Sequence, residues 1–241
     1  MKVLNYGSLN VDYVYSVDHI IVGGETQHSS KLEVFSGGKG LNQSIALAKA
    51  GVPVYHAGIV GTDGDILLEA CKEAGVNTKY IRRLPVKGGH TMIQVDKNAQ
   101  NCIILYGGTN QMQTKEFVDE VLADFGEGDY LILQNEINML DYIIDQAYEK
   151  KMKIVMNPSP FDDKLSTCDL SKVYLFLVNE IEGEQITGCK DKDQILDAMA
   201  ARFPNARFVL TLGSDGAVYY DGKEKVFQDI FKVKAVDTTA A

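Results

Sequence analysis

Several features that point to particular protein classes are missing from this 241-residue sequence. Its four cysteines are widely spread and include no C-x-x-C pair, which favours free thiols in a reducing compartment. Its four histidines show no ligand spacing. No apolar run approaches transmembrane length, and the first residues predict a strand and its turn instead of a signal peptide. We therefore expect a soluble, cytoplasmic protein.

Positive charge is also scarce. Lys and Arg number 24 against 33 Asp and Glu, a formal net charge of −9. This balance argues against nucleic acid or an anionic membrane as the main partner. A protein of this charge that handles phosphate groups must supply positive potential locally, from backbone N–H groups, lysines or metal ions.

What is present is ordinary globular composition, 45% apolar and 24% charged. Short apolar strands alternate with helical patterns along most of the chain. This alternation predicts an α/β fold with a doubly wound, mostly parallel sheet, in which ligands sit at the carboxyl ends of the strands. We expect strands at 54–61, 130–134, 153–156, 174–178 and 207–212, and helices at 41–50, 63–74, 139–150, 180–186 and 194–202.

A second pattern is purely β. Segments 12–17, 27–35, 89–96 and 102–106 alternate apolar and polar residues without helices within each pair, and a polar hairpin loop joins the last two. They predict a small discontinuous sheet, a lid of residues 12–36 and 89–106, beside an α/β core of residues 1–11, 37–88 and 107–241. One face of so small a sheet needs covering. A ligand or a second copy of the chain could provide that cover.

Two polar side chains lie where the first lid segment begins. Asn10 and Asp12 are two residues apart in an extended segment, so they project to the same face while Val11 points away. An amide beside a carboxylate can bind vicinal hydroxyls. A polar strand end that faces water is the alternative interpretation.

A glycine-rich string, Gly37-Gly38-Lys39-Gly40-Leu41-Asn42, opens a predicted helix that ends at Gly51. Glycines let the backbone approach a ligand closely, and a helix N-terminus favours hydroxyl oxygens or anions. The string is not a P-loop, which requires G-x-x-x-x-G-K-[ST], because Gly40 follows the lysine. A flexible entry loop is the alternative.

Polar groups also follow predicted strands of the core, at the edge where a doubly wound sheet binds ligands. Glu136 follows the strand at 130–134. Asn179 and Glu182 begin a helix with the spacing of a capping box. Residues 211–216, Thr-Leu-Gly-Ser-Asp-Gly, suit any tight turn.

In order along the whole chain, these segments resemble the ribokinase branch of the PfkB family of sugar kinases. Asn157-Pro158-Ser159-Pro160, Gly108-Thr109-Asn110 and Asp237-Thr238-Thr239-Ala240-Ala241 add to the resemblance. It implies ATP-dependent phosphorylation of a sugar primary hydroxyl, D-ribose to ribose 5-phosphate. Phosphorylation of fructose, another pentose or a nucleoside is the alternative.

The resemblance also implies roles for individual residues. Sugar contacts are expected from Asn10, Asp12, Gly38, Lys39, Asn42 and Glu136, and nucleotide contacts from Asn179, Thr211, Gly213, Ser214 and Gly216. Glu182 would organise Mg²⁺ indirectly, whereas Asp237 and Thr239 would hold a monovalent cation, K⁺. A homodimer formed through the β lid is a further expectation.

In the family, the Asp-Thr-x-Ala-Ala stretch runs into a Gly-Asp pair whose aspartate is the catalytic base. The given sequence ends at Ala241, before such a pair. We therefore expect the base just after Ala241 in the complete enzyme, and no kinase activity from the 241 residues alone. The alternative is a natural chain of this length that acts as a non-catalytic sugar-binding or dimerising module.

Overall fold

The computed structural model describes residues 1–231, which contain thirteen strands, six α-helices and four short 3-10 helices. The strands are β1 (Val3–Tyr6), β2 (Asn10–Ser16), β3 (Lys31–Gly37), β4 (Val54–Val60), β5 (Asn77–Arg83), β6 (Gly89–Val95), β7 (Asn101–Tyr106), β8 (Tyr130–Gln134), β9 (Lys153–Asn157), β10 (Leu175–Asn179), β11 (Arg207–Thr211), β12 (Ala217–Tyr220) and β13 (Lys225–Gln228). The helices are α1 (Lys39–Lys49), α2 (Asp65–Ala74), α3 (Lys115–Leu122), α4 (Leu140–Glu149), α5 (Glu180–Thr187) and α6 (Lys192–Arg202).

The chain divides into two compact units. The N-terminal unit is Gly7–Gln113, and the C-terminal unit combines Met1–Tyr6 with Thr114–Ala241. The predicted division into core and lid follows other boundaries and stays a prediction.

The C-terminal unit contains a mostly parallel sheet with the strand order β13-β12-β11-β10-β9-β8-β1. Strands β1 and β8 to β11 run parallel. Their apolar runs are buried, with Leu131, Leu133, Ile154 and Met156 all 0% exposed, as expected for parallel strands that are covered on both faces. The predicted α/β class is confirmed, and the carboxyl ends of β8 to β11 lie at one edge.

The prediction that residues 207–212 close the strand series was wrong. Strands β12 and β13 continue the sheet as an antiparallel hairpin. Its turn contains Asp221 and Gly222, and Gly222 has a φ of 86°, which glycine adopts readily. Helix α3 was also missed; the side chain of Thr114 caps it by accepting a hydrogen bond from Phe117 N at 3.3 Å.

The N-terminal unit combines the parallel pair β4–β5 with helices α1 and α2. Helix α2 ends where predicted, at Gly75, which is left-handed with a φ of 79°. Strand β5 was not predicted because it is mostly polar, and only Tyr80 in it is buried.

A separate four-stranded sheet, with the order β3-β2-β6-β7, completes this unit and confirms the predicted small sheet. Strands β2 and β6 are parallel, and the outer strands β3 and β7 are antiparallel to them. Strand register places Phe35, Ile103 and Leu105 on the face that carries Asp12. Both faces expose large apolar side chains: Phe35, Ile103 and Leu105 on this face and Leu32, Val34, Met92, Ile104 and Tyr106 on the other.

Candidate active site

Asn10 and Asp12 lie on one face of the small sheet, at the start of β2, while Val11 between them is only 3% exposed. Asp12 Oδ1 accepts a hydrogen bond from Thr91 Oγ1 at 2.6 Å. Asn10 Oδ1 accepts one from Asn110 Nδ2 at 2.7 Å. Both side chains are therefore held in place by partners far away in the sequence.

The glycine string approaches this polar pair closely. A Cβ atom at Gly37 would overlap the carboxylate of Asp12. Gly38 has a φ of 98°, and a Cβ atom there would lie 3.0 Å from Asn10 N. These positions require glycine because β2 packs against them, which favours a rigid cradle over the flexible entry loop.

Helix α1 begins at Lys39, two residues earlier than predicted, because Ser8 binds its first turn. Gly40 N donates to Ser8 Oγ at 3.2 Å, and Leu41 N donates to Ser8 O at 3.0 Å. The side chain of Ser8 is fully buried. Two of the amides in the first turn of the helix therefore bind Ser8 and hold the helix against it.

Lys39 and Asn42, the predicted sugar contacts on α1, are three residues apart and so share one side of the helix. Both are partly exposed. Because Ser8 fixes the start of the helix, it also fixes the backbone positions from which these side chains project.

A buried His56 supports the chain next to Ser8. Its Nδ1 lies 2.8 Å from Ser44 Oγ, and its Nε2 lies 3.3 Å from Gly7 O. Burial lowers the pKa of His56 to about 4, since a charged imidazole would be desolvated. The imidazole is therefore neutral at pH 7, with Nε2–H donating to Gly7 and Nδ1 accepting from Ser44.

In the C-terminal unit, the other candidate residues gather at the carboxyl edge of the parallel strands. Asn179 and Thr211 are register partners on β10 and β11. Glu136 follows β8 and is partly exposed. The parallel sheet thus brings together the ends of strands whose residues are distant in sequence.

Asn179 and Glu182 form a complete capping box at the start of α5. Glu182 N donates to Asn179 Oδ1 at 2.8 Å, and Asn179 N donates to Glu182 Oε2 at 3.0 Å. The capping interpretation is therefore confirmed. A magnesium role for Glu182, which is 7% exposed, stays a prediction.

Residues 211–216 form a tight turn between β11 and β12. Leu212 N donates to Gly216 O at 2.8 Å, and Gly213 and Gly216 have φ values of 55° and 99°. A Cβ atom at Gly216 would overlap Gln228 O of β13. Thr211, Gly213 and Ser214 are exposed at this turn.

The predicted cation residues, Asp237 and Thr239, lie outside the described residues. Within residues 1–231, no three His, Cys, Asp or Glu side chains are grouped so that they could hold a metal ion. The same part of the chain contains no helix with the length and apolar character needed to cross a membrane.

Sequence reasoning did not assign roles to Ser8, Thr91 or Asn110, although they hold the predicted residues. Ser8 lies two residues before Asn10 and gives no motif of its own. Thr91 is 79 residues from Asp12, and Asn110 is 100 residues from Asn10. Only the similarity of Gly108-Thr109-Asn110 to the family pointed to this turn.

The whole chain, residues 1–241, matches the pfkB family of carbohydrate kinases. A ribokinase of Staphylococcus aureus (strain COL) is 32% identical over 250 residues, which cover 100% of this chain and 82% of that protein. A deoxyribokinase of Salmonella typhi is 28% identical over 250 residues, with coverages of 100% and 82%. The solved structure of an Arabidopsis thaliana ribokinase complexed with ribose and ATP is 25% identical, with a TM-score of 0.83, and covers 99% of this chain and 81% of that chain.

Proposed function

Because this chain belongs to the pfkB family of carbohydrate kinases, we propose that it transfers the γ-phosphoryl group of ATP to the primary hydroxyl of D-ribose. The product is ribose 5-phosphate. The observation that carries this proposal is the similarity over the whole chain to ribokinases, one of them solved with ribose and ATP. The preorganised pair Asn10 and Asp12 supports it, because an amide and a carboxylate on one strand face suit sugar hydroxyls.

The N-terminal unit binds the sugar in this proposal. Asn10 and Asp12 bind hydroxyls, Gly38 allows close approach of the backbone, and Lys39 and Asn42 contact the sugar from α1. Glu136 is a further proposed sugar contact, as the resemblance to the family implies. The small sheet limits access of water, which would otherwise compete with the sugar as phosphoryl acceptor.

The C-terminal unit binds the nucleotide. Asn179, Thr211, Gly213, Ser214 and Gly216 contact ATP phosphates, which suits phosphoryl transfer because that reaction depends on positioning and on stabilisation of charge. Mg²⁺ neutralises phosphate charge when it is bound. Since the described residues lack a direct ligand cluster, Glu182 would hold its hydration shell. Asp237 and Thr239 are proposed for K⁺.

We also propose a homodimer that forms through the small sheet. Its exposed apolar side chains, which include Phe35, Ile103 and Leu105 at 49%, 55% and 46% exposure, support this interface. The cytoplasmic location stays a prediction from the sequence.

The test is a sugar panel with the complete protein encoded by the gene, ATP and Mg²⁺, with and without K⁺. We expect the highest kcat/KM with D-ribose, compared with 2-deoxy-D-ribose, D-fructose and adenosine. A higher value with 2-deoxy-D-ribose would make the protein a deoxyribokinase, and no turnover with any of them would overturn the kinase proposal.

The variant Asp12→Ala tests the sugar assignment. Loss of a charged hydrogen-bond acceptor should lower kcat/KM for ribose by about 10- to 100-fold. Unchanged ribose kinetics would rule out Asp12 as a sugar ligand.

A further inference from the structure

Asn10 is held by a second buried amide, that of Asn110. Asn110 lies on a short 3-10 turn, Gly108–Gln111, and is 0% exposed. Its Nδ2 donates to Asn10 Oδ1 at 2.7 Å. The proposed function assigns the sugar contact to Asn10 and leaves Asn110 without a role.

The backbone of Leu9 fixes the orientation of the Asn110 amide. Leu9 N donates to Asn110 Oδ1 at 3.0 Å, and Asn110 Nδ2 donates to Leu9 O at 3.3 Å. A backbone N–H can only donate and a backbone carbonyl can only accept. Rotating the Asn110 amide by 180° would therefore place donor against donor and acceptor against acceptor.

The orientation of Asn10 follows from that of Asn110. Since Asn110 presents Nδ2 to Asn10, the facing atom of Asn10 must be its acceptor, Oδ1. The remaining polar atom of Asn10 is Nδ2, which can only donate. Asn10 is itself 2% exposed, so little water is present to compensate a wrongly turned amide.

We propose that Asn110 is a positioning residue that sets Asn10 as a hydrogen-bond donor towards the sugar, an inference that rests on the proposed function. Asp12 supplies the chemical reason. A hydroxyl that gives its single proton to the carboxylate of Asp12 can make a second hydrogen bond only as an acceptor. Asn10 must then offer a donor, and the chain from Leu9 through Asn110 ensures that it does.

The neighbouring strand β6 approaches this amide pair closely. A Cβ atom at Gly89, on the neighbouring strand β6, would overlap both Asn110 Nδ2 and Asn10 Oδ1. Glycine at this position is therefore required by the contact between the two amides.

A double-mutant cycle on ribose affinity tests the proposal, with Asn10→Ala, Asn110→Ala and the double variant in the complete protein. We expect Asn110→Ala to raise the Kd for ribose about 5- to 10-fold while the KM for ATP stays unchanged. In the Asn10→Ala background, Asn110→Ala should change the ribose Kd less than 2-fold, because its effect passes through Asn10. Equal effects in both backgrounds would overturn the proposal.

The matched control is Thr109→Val, which removes a buried hydrogen bond on the same turn, from Thr109 Oγ1 to Ile59 O at 2.7 Å, without touching Asn10. It should lower the melting temperature and leave the ribose Kd unchanged. If Asn110→Ala does not fold, Asn110→Asp keeps the side-chain size and the acceptor for Leu9 N but removes the donor, and it should weaken ribose binding at least as much.

A measurement without sugar tests the orientation of Asn10 separately from the proposed function. In ¹⁵N NMR spectra, the side-chain NH₂ signals of Asn10, identified by their loss in Asn10→Asp, should shift in Asn110→Ala and not in Thr109→Val. Absence of that shift would refute the proposed orientation even if the wild-type protein bound no ribose.

Discussion

The two groups of candidate residues are held by hydrogen bonds of very different reach. In the N-terminal unit, Asn10 and Asp12 are bound by residues 100 and 79 positions away. In the C-terminal unit, Asn179 and Glu182 bind each other across three positions. The first group depends on the tertiary fold of its unit, whereas the second is organised by the local conformation of one helix start.

This difference has an energetic consequence. Displacing a residue in the N-terminal group disturbs packed backbone and buried polar partners, for which no water compensates. Removing a local cap in the C-terminal group costs about 1 kcal/mol. We therefore expect substitutions in the first group to reduce folding stability more than those in the second.

The largest loss of folding stability should come from Gly40→Ala at the start of α1. The new Cβ atom would lie 2.5 Å from Ser8 N and 2.7 Å from Gly7 C, both backbone atoms. Overpacking against backbone costs about 3 kcal/mol, and the higher helix propensity of alanine offsets about 1 kcal/mol of this. The free energy of unfolding in urea should fall by about 2 kcal/mol.

Gly23→Ala is the control for this substitution, because a Cβ atom at Gly23 would meet nothing within 4 Å. Its stability should equal that of the wild-type protein or exceed it slightly. Equal stabilities for the two variants would show that the packing of α1 on Ser8 is not a constraint on the fold.

A pH-dependent effect should follow from His56. Burial lowers its pKa from 6.5 to about 4, so the unfolded chain takes up a proton that the folded unit resists. The contribution of the neutral His56 to the free energy of unfolding is complete above pH 6.5 and declines as the pH falls towards 4. At pH 5.5 the loss should be about 1.4 kcal/mol, one pH unit below the unfolded pKa.

His56→Gln isolates this contribution, because glutamine keeps an N–H donor for Gly7 and cannot be protonated. The difference in unfolding free energy between the wild-type protein and His56→Gln should shrink by about 1.4 kcal/mol between pH 8 and pH 5.5. A difference that is constant with pH would mean that His56 titrates normally in the folded protein.

The same contrast between long-range and local bonds explains what could be predicted from the sequence. Two local features could be predicted because their partners are close in sequence. They are the capping box at Asn179 and Glu182 and the helix end at Gly75. The strands at 130–134 and 153–156 could be predicted because strands that are buried on both faces have continuous apolar sequences. Asn110 could not be assigned, since its partner is 100 residues away and no sequence pattern encodes the contact.

The smallest effect should come from the capping box, and two substitutions separate its structural role from its proposed magnesium role. Asn179→Ala removes the side chain that accepts from Glu182 N and should lower the unfolding free energy by about 1 kcal/mol. Glu182→Gln keeps an acceptor for Asn179 N, because glutamine also serves at this position of a capping box, but it removes the negative charge.

Glu182→Gln should therefore unfold like the wild-type protein, while in the complete enzyme it raises the concentration of Mg²⁺ needed for half-maximal activity. A variant with normal stability and an unchanged Mg²⁺ requirement would leave Glu182 as a helix cap alone. Ribose affinity should be unchanged in either case, because the capping box lies in the C-terminal unit. The contacts of Asn10 with Asn110 and of Asp12 with Thr91 lie entirely in the N-terminal unit.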